Sequence, residues 1–292
     1  MRLSKLGVWY SLDGLPAPAA AATAKRIESM GYSALWIPES VGRNPLVHAS
    51  WLLANTTHLN IATGIANIYH REPGVTLAGQ KTLAEQSGDR FLLGLGVSHK
   101  PLVEDVRGLK YGPPAPTMRT YLEKMAVAPY TGAGKEIKPK TVIAALGPQM
   151  LNVARTHCDG AHPYFSSPTH TKMARTILGP DKMLCVEQKV ILEGDATKAR
   201  QLARAVAQVY INLPNYRNNW LRMGLTEADL SGGGSDKFID ATFAWGSIEA
   251  VKQRIQEHFE AGASHVCVQP VNPNGQFGDL DWNVLEKLAP GR

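Results

Sequence analysis

An alternation running the length of the 292-residue chain constrains its fold more than any other feature. Eight short apolar runs, rich in β-branched and aromatic residues, occupy positions 6–10, 33–38, 59–69, 91–97, 141–146, 160–165, 183–192 and 265–271. Between them lie segments whose apolar residues recur at helical spacing. Ala20, Ala24 and Ile27 share one face of a helix that stops at Gly31. Asp195 is placed to cap a helix over 197–210 whose expected inward stripe is Ala199, Leu202, Val206 and Val209. Ser247 is placed to cap another, built on Ile248, Val251, Ile255 and Phe259 and closed by Gly262. The run FLLGLGV at 91–97 is apolar on both faces, as parallel strands covered by helices tend to be.

Eight strand-and-helix repeats fit a closed α/β barrel, the (β/α)8 or TIM-barrel class, better than an open doubly wound sheet of five or six strands. A barrel of this length is one domain, spanning 1–292. The stretch 212–242 breaks the alternation with Asn212-Leu-Pro-Asn-Tyr216, a short helical patch and Gly232-Gly-Gly-Ser235. It reads as an insertion before the last strand, placed to act as a lid or substrate gate.

Composition narrows the function. With 44% hydrophobic and 19% charged residues the chain is globular. Cys158, Cys185 and Cys267 have no CxxC spacing, which predicts small buried residues in a reduced compartment, neither disulfides nor a zinc site. The histidines form no HxxxH or HxH pattern, so no metal is expected. No apolar run reaches about 18 residues and the N-terminal one is too short for a signal peptide, so a cytoplasmic protein without membrane partners is expected. The net charge of +6 is scattered and carries no nucleic-acid motif; it better suits attraction of an anionic small molecule.

Barrel chemistry sits where strands end. Those positions hold Trp9 and Tyr10; Glu39 and Ser40; Thr63 to Asn67; Ser98, His99 and Lys100; Gly147 to Met150; His162 to Ser166; Glu187; and Gln269. Glu39 follows the apolar Trp36-Ile-Pro, which would desolvate it; it can position a cofactor, transfer a proton, or be a plain loop glutamate. Gly64 inside a β-rich run marks either a barrel kink or a close approach to a ligand. Gly94 and Gly96 lack the third glycine of a dinucleotide fingerprint and read as space-makers, with Ser98 and His99 beyond them able to hydrogen-bond a ligand. At Leu146, Gly147, Pro148, Gln149 and Met150 a strand turns straight into a helix whose first N–H groups face outward. That corner is either an anion seat for a cofactor phosphate or an ordinary tight turn. His162 and Tyr164 share one face, while His170 falls within the next helix and reads as a surface residue.

Five segments together resemble the luciferase-like flavin and deazaflavin oxidoreductases: the opening GVW strand, GYSALWIPES, LNIATGIANIYHREP, RFLLGLGVSH, and ALGPQMLNVARTHCDGAHPYF. The order and spacing of all five carry the likeness, from about position 6 to 271. It implies FMN or coenzyme F420 at the barrel mouth, with a bulged third strand carrying a non-prolyl cis peptide at Gly64-Ile65 under the ring. It places the family's strand-two acid at Glu39 and its phosphate turn at Gly147 to Met150, flanked by His162, Pro163 and Tyr164. Trp9, Thr63 and Ser98 join this expected cofactor set, and Glu39 and His99 are the expected proton-handling residues. Ser40 and Val97 depart from the sugar-phosphate dehydrogenases of the family, which have a His and an acid there.

Similarity to the branch with LGPxML and ADGA-like segments favours F420 over FMN, with Cys158 in place of the usual alanine; Arg43 and Lys100 would suit the coenzyme's polyglutamate tail. The expected activity is hydride transfer between F420 and a small-molecule substrate, by a homodimer. The alternatives are an FMN-dependent monooxygenase and a non-catalytic flavin- or deazaflavin-binding protein.

Overall fold

The computed structural model describes residues 1, 3–272 and 280–291. Its described strands, in chain order, are β1 (Leu6–Trp9), β2 (Ala34–Ile37), β3 (Asn60–Thr63), β4 (Ala66–Asn67), β5 (Phe91–Gly96), β6 (Thr141–Ile143), β7 (Gly160–Ala161), β8 (Met183–Ile191), β9 (Phe243–Trp245) and β10 (His265–Pro270). Every pairing is parallel, and β10 closes the ring by pairing with both β1 and β8. The result is a closed eight-stranded barrel in which β3 and β4 are two halves of one interrupted stave. All eight expected strands are present. The ninth segment, β9, extends the end of β8 through Lys189, Val190 and Ile191; three residues between helices gave no separate strand signal.

Alternation along the staves divides the interior in two. Inward-facing Trp9, Ala34, Trp36, Ala62, Leu92, Val142, Cys185 and Cys267 pack as a cluster. Their outward neighbours, among them Val8, Leu35, Ile61, Leu93 and Val266, join the large core beneath the helices. All three cysteines are buried and free. Among the described residues no helix is long and apolar enough to cross a membrane.

Helix ends follow the capping residues. Asn44, Ser167, Asp195, Ser235, Ser247 and Asp281 each accept a hydrogen bond from the first turn they precede. Two expectations about helix faces need correction. The helix Ala196–Ala207 buries Ala199, Ala203 and Ala207, not the larger stripe, and Val209 is 57% exposed. An alanine ridge admits closer packing, so the branched residues are left at the margins. His170 is fully buried because its Nε2–H donates to the Leu146 carbonyl at 2.8 Å, which turns the ring inward.

Residues 212–242 contain two helices, Pro214–Arg222 and Asp236–Thr242. Tyr216, Trp220, Phe238 and Ile239 from these helices pack with Phe165, Ile191 and Phe243 in a second core. Trp220 Nε1–H donates to the Phe165 carbonyl at 3.2 Å, tying the first helix to the end of β7.

Candidate functional site

The stave interruption is the first determinant of the site. Ala62 pairs with Leu92 and Ala66 with Leu95, so three residues, 63–65, oppose two, 93 and 94: a β-bulge. The Gly64-Ile65 peptide within it is cis. Thr63 Oγ1 clamps the bulge to β5, donating to the Gly94 carbonyl at 2.7 Å and accepting from its N–H at 2.8 Å. A Cβ at Gly94 would lie 1.9 Å from the Thr63 carbonyl oxygen, and one at Gly96 2.5 Å from Ile65 Cδ1. Both glycines of the FLLGLG strand therefore exist to admit the bulge. From β1, Trp9 Nε1–H donates to the Gly64 carbonyl at 2.9 Å.

Above the bulge opens a cavity of about 1050 Å³. Of the expected site residues, Trp9, Glu39, Gly64, Ile65, Ser98, His99, Leu146, Gly147, Gln149, Met150, His162 and Tyr164 line it. Thr63, Pro148 and Pro163 do not. Thr63 is the bulge clamp, Pro148 starts the helix Pro148–His157, and Pro163 gives its carbonyl to the Glu187 N–H at 3.0 Å.

Glu39 is held from three sides. Arg71 donates to it with both guanidinium nitrogens, one at 2.9 Å; the Asn67 N–H donates at 2.7 Å; and His70 Nδ1 lies 3.1 Å away. Its own N–H donates to the Ile65 carbonyl at 3.1 Å. Burial alone would push the carboxyl pKa up, but Arg71, Asn67 and His70 together hold it below the usual carboxylate range. The acid is thus a permanent anion bracing the bulge from the β2 side.

His162 lies in the floor. Its ring stacks on Trp36 with centroids 4.2 Å apart, and Nδ1–H donates to the Cys185 carbonyl at 2.8 Å. That fixes the neutral tautomer and leaves Nε2 bare, buried and unpartnered, 3.0 Å from where a Gly64 Cβ would be. Burial brings its pKa down to about 4. His99 lines the cavity beside Tyr216, with ring centroids 5.7 Å apart. Burial pulls its pKa below the ordinary value, and a hydrogen bond with Asn215 pushes back.

Several lining residues escaped sequence reasoning: Tyr111, Tyr210, Asn215, Tyr216, Asn218 and Arg222. Asn215, Asn218 and Arg222 follow i, i+3, i+7 spacing on one helix, a polar stripe opposite Trp220 that could have flagged a cavity-facing side. Tyr210 and Tyr164 share a hydroxyl hydrogen bond at 2.9 Å. Behind Tyr164 lies Lys189, fully buried, its ammonium 3.7 Å from the Tyr164 ring centroid, 4.2 Å from that of Phe165 and 3.2 Å from Glu187. Burial brings its pKa down to about 8 against the pull of Glu187. Neither of the cations expected at the mouth lines the cavity. Arg43 is drawn to the Leu15 carbonyl and His48, and Lys100 pairs with Glu104 at 3.6 Å.

Comparison with known proteins follows the same geometry. The family model described as luciferase-like monooxygenase matches residues 3–265. The chain is 25% identical over 296 residues to 5,10-methylenetetrahydromethanopterin reductase of Archaeoglobus fulgidus, an alignment spanning 86% of this chain and 89% of that one. Among solved structures it is similar in fold to an F420-dependent secondary alcohol dehydrogenase in complex with an F420-acetone adduct. That match has a TM-score of 0.75 and 16% identity, and covers 99% of each chain. It is also similar in fold to the oxygenating constituent of 3,6-diketocamphane monooxygenase of Pseudomonas putida in complex with FMN. There the TM-score is 0.69 and identity 15%, covering 98% of this chain and 97% of that one.

Proposed function

The chain belongs to the luciferase-like monooxygenase family, and from that premise we propose that it is a coenzyme F420-dependent oxidoreductase acting on a small organic substrate in the cavity above the bulge. The single observation that carries this reading is the bulge itself. Gly64, where a Cβ would meet Trp9 and His162, gives a flat seat in a cavity large enough for a tricyclic ring and a substrate together. The alcohol dehydrogenase fold neighbour, F420-dependent by name, favours the deazaflavin.

When bound, a deazaflavin would supply the hydride chemistry. Trp9, Gly64 and Ile65 would support the ring, with Glu39 and Arg71 keeping their backbone in place, and Gly147, Gln149 and Met150 would hold the phosphate at the helix N-terminus. His99, which burial keeps neutral near pH 7, would take or return the substrate proton. Glu39 positions the site and does not titrate in that range. In the same reading residues 212–242 cover the cavity through Asn215 and Tyr216 and shield the chemistry from water.

Titration of the purified protein with F420 and with FMN, each followed by cofactor fluorescence, tests this. Micromolar or tighter binding of F420, with FMN at least tenfold weaker, is the expected result. Tight FMN binding without F420 affinity would overturn the reading in favour of a flavin monooxygenase.

A further inference from the structure

The cavity wall formed by the connections that follow β7 and β8 is aromatic. Tyr164, Tyr210 and Tyr216 all line it, with ring centroids 5.2 to 6.2 Å apart. Tyr164 also meets Trp9 at 5.1 Å, and Trp9 is the residue whose indole N–H holds the Gly64 carbonyl. This wall therefore stands directly beside the bulge.

Two hydroxyls within it are paired, those of Tyr164 and Tyr210, at 2.9 Å. Two phenols have two protons, and the bond between them uses one. The second O–H has no acceptor among the described residues, and both side chains border the cavity. Burial raises both phenols, Tyr210 to about 12 and Tyr164 well above the ordinary tyrosine value, so both are protonated donors at neutral pH. An occupant that expels water from the cavity must therefore supply an acceptor or leave a donor unsatisfied, at a cost in affinity.

A second observation concerns what lies behind the pair. The Lys189 ammonium sits over three rings, 3.7 Å from the centroid of Tyr164, 4.2 Å from that of Phe165 and 5.2 Å from that of Tyr210. Glu187, equally buried, neutralises it. A fully buried ion pair is seldom the most stable filling for an interior. Here it grips the faces of both phenols by cation–π contact and so fixes where their hydroxyls stand.

Resting on the functional reading above, we propose that the Tyr164–Tyr210 pair is the hydrogen-bond donor for an oxygen atom of the substrate, and that the substrate class is a carbonyl compound and its alcohol. In the reducing direction a hydride adds to the carbonyl carbon and the C=O π electrons move to oxygen. That oxygen gains one proton by way of His99, beside Tyr216 on the same wall, and the reduced deazaflavin that gives the hydride is left oxidised. The phenols meet the negative charge as it grows on the oxygen. A molecule with a methylene in place of that oxygen leaves the free O–H unsatisfied, so the pair selects the substrate as well as assisting its reaction.

Acetophenone and α-methylstyrene, which differ only in O against CH2, serve as probes. Their dissociation constants are measured by the change in fluorescence of oxidised F420 bound to wild-type protein, Tyr164→Phe, Tyr210→Phe and the double variant. The double variant should weaken acetophenone about threefold to tenfold, the range for one neutral hydrogen bond, and leave α-methylstyrene within about twofold. Each single variant should keep part of the preference, because one phenol remains; should the double variant not fold, the two singles decide by the same criterion. Infrared difference spectra should place the bound acetophenone C=O stretch below its frequency in hexane with wild type and nearer to it with the double variant. Equal weakening of both probes, unchanged acetophenone affinity, or a wild type that binds F420 but neither probe would overturn the assignment of the pair while the functional reading stands. Loss of F420 affinity in the double variant would put the pair in the cofactor seat and overturn it as well. Wild-type protein that does not bind F420 would overturn the functional reading, and this inference with it.

Discussion

Acidification should unfold this protein through four histidines. His162, His170 and His265 have pKa values brought down to about 4 by burial, and His258 to about 3. Their hydrogen bonds fix neutral rings. His265 donates through Nδ1 to the Ser4 carbonyl and accepts the Trp36 indole N–H at Nε2; His258 bridges Thr171 and Gln188. In the unfolded chain each ring titrates near 6.5, so between pH 6.5 and 4 the unfolded state binds protons that the folded state refuses, and stability falls as pH falls. At about 1.4 kcal/mol per pH unit, each histidine costs about 2 kcal/mol on going from pH 6.5 to 5, and four cost about 8. That matches the whole stability of a typical domain, roughly 5–15 kcal/mol. The lowered Glu39 acts only below the carboxylate range, and Glu187, whose pKa burial raises, opposes the trend as a single group. Urea unfolding followed by tryptophan fluorescence at pH 7, 6 and 5 measures the slope. A loss under about 2 kcal/mol across that range would refute the argument, as would a His258→Gln variant that keeps the full slope instead of losing about a quarter.

Two further substitutions test the packing beneath the site. Gly94→Ala puts a methyl 1.9 Å from the Thr63 carbonyl oxygen, a backbone atom that cannot yield without moving the bulge; a loss of about 3 kcal/mol or more is expected by urea titration, and a change under about 1 kcal/mol would show that the bulge is not held as described. Lys189→Met leaves Glu187 as an unpaired buried charge and should cost about 3–5 kcal/mol, whereas the Lys189→Met, Glu187→Gln double variant should regain most of it; an additive double-mutant cycle would contradict a coupled pair.

Much of the barrel was legible because each stave writes its own apolar run and several helices carry their own capping residue, Asp195 and Ser247 among them. Where legibility failed, the deciding contact was distant. The helix Ala196–Ala207 offers both an alanine ridge and a branched stripe, and only the neighbour it packs against chooses between them. His170 reads as a surface residue until Leu146 supplies a carbonyl for its ring, 24 positions away. Short β9 is a strand only because β8 runs long enough to pair with it.

The site divides along the same line. The bulge announces itself in sequence because it needs glycines on both partners: Gly64 on the bulged stave, Gly94 and Gly96 on the stave beneath it. Charge gives no such local mark. Glu39 reads as a cofactor-positioning acid, a proton carrier or a plain loop glutamate until Arg71 folds back across 32 residues to neutralise it. Arg222 reads as one more scattered cation until its helix brings it over Gly147, 75 residues earlier in the chain. Backbone constraints are written where they act, while the sign and strength of a charge's role are set by partners whose identity only the fold supplies. A β/α barrel therefore discloses where its backbone must bend sooner than which charges its cavity will leave exposed.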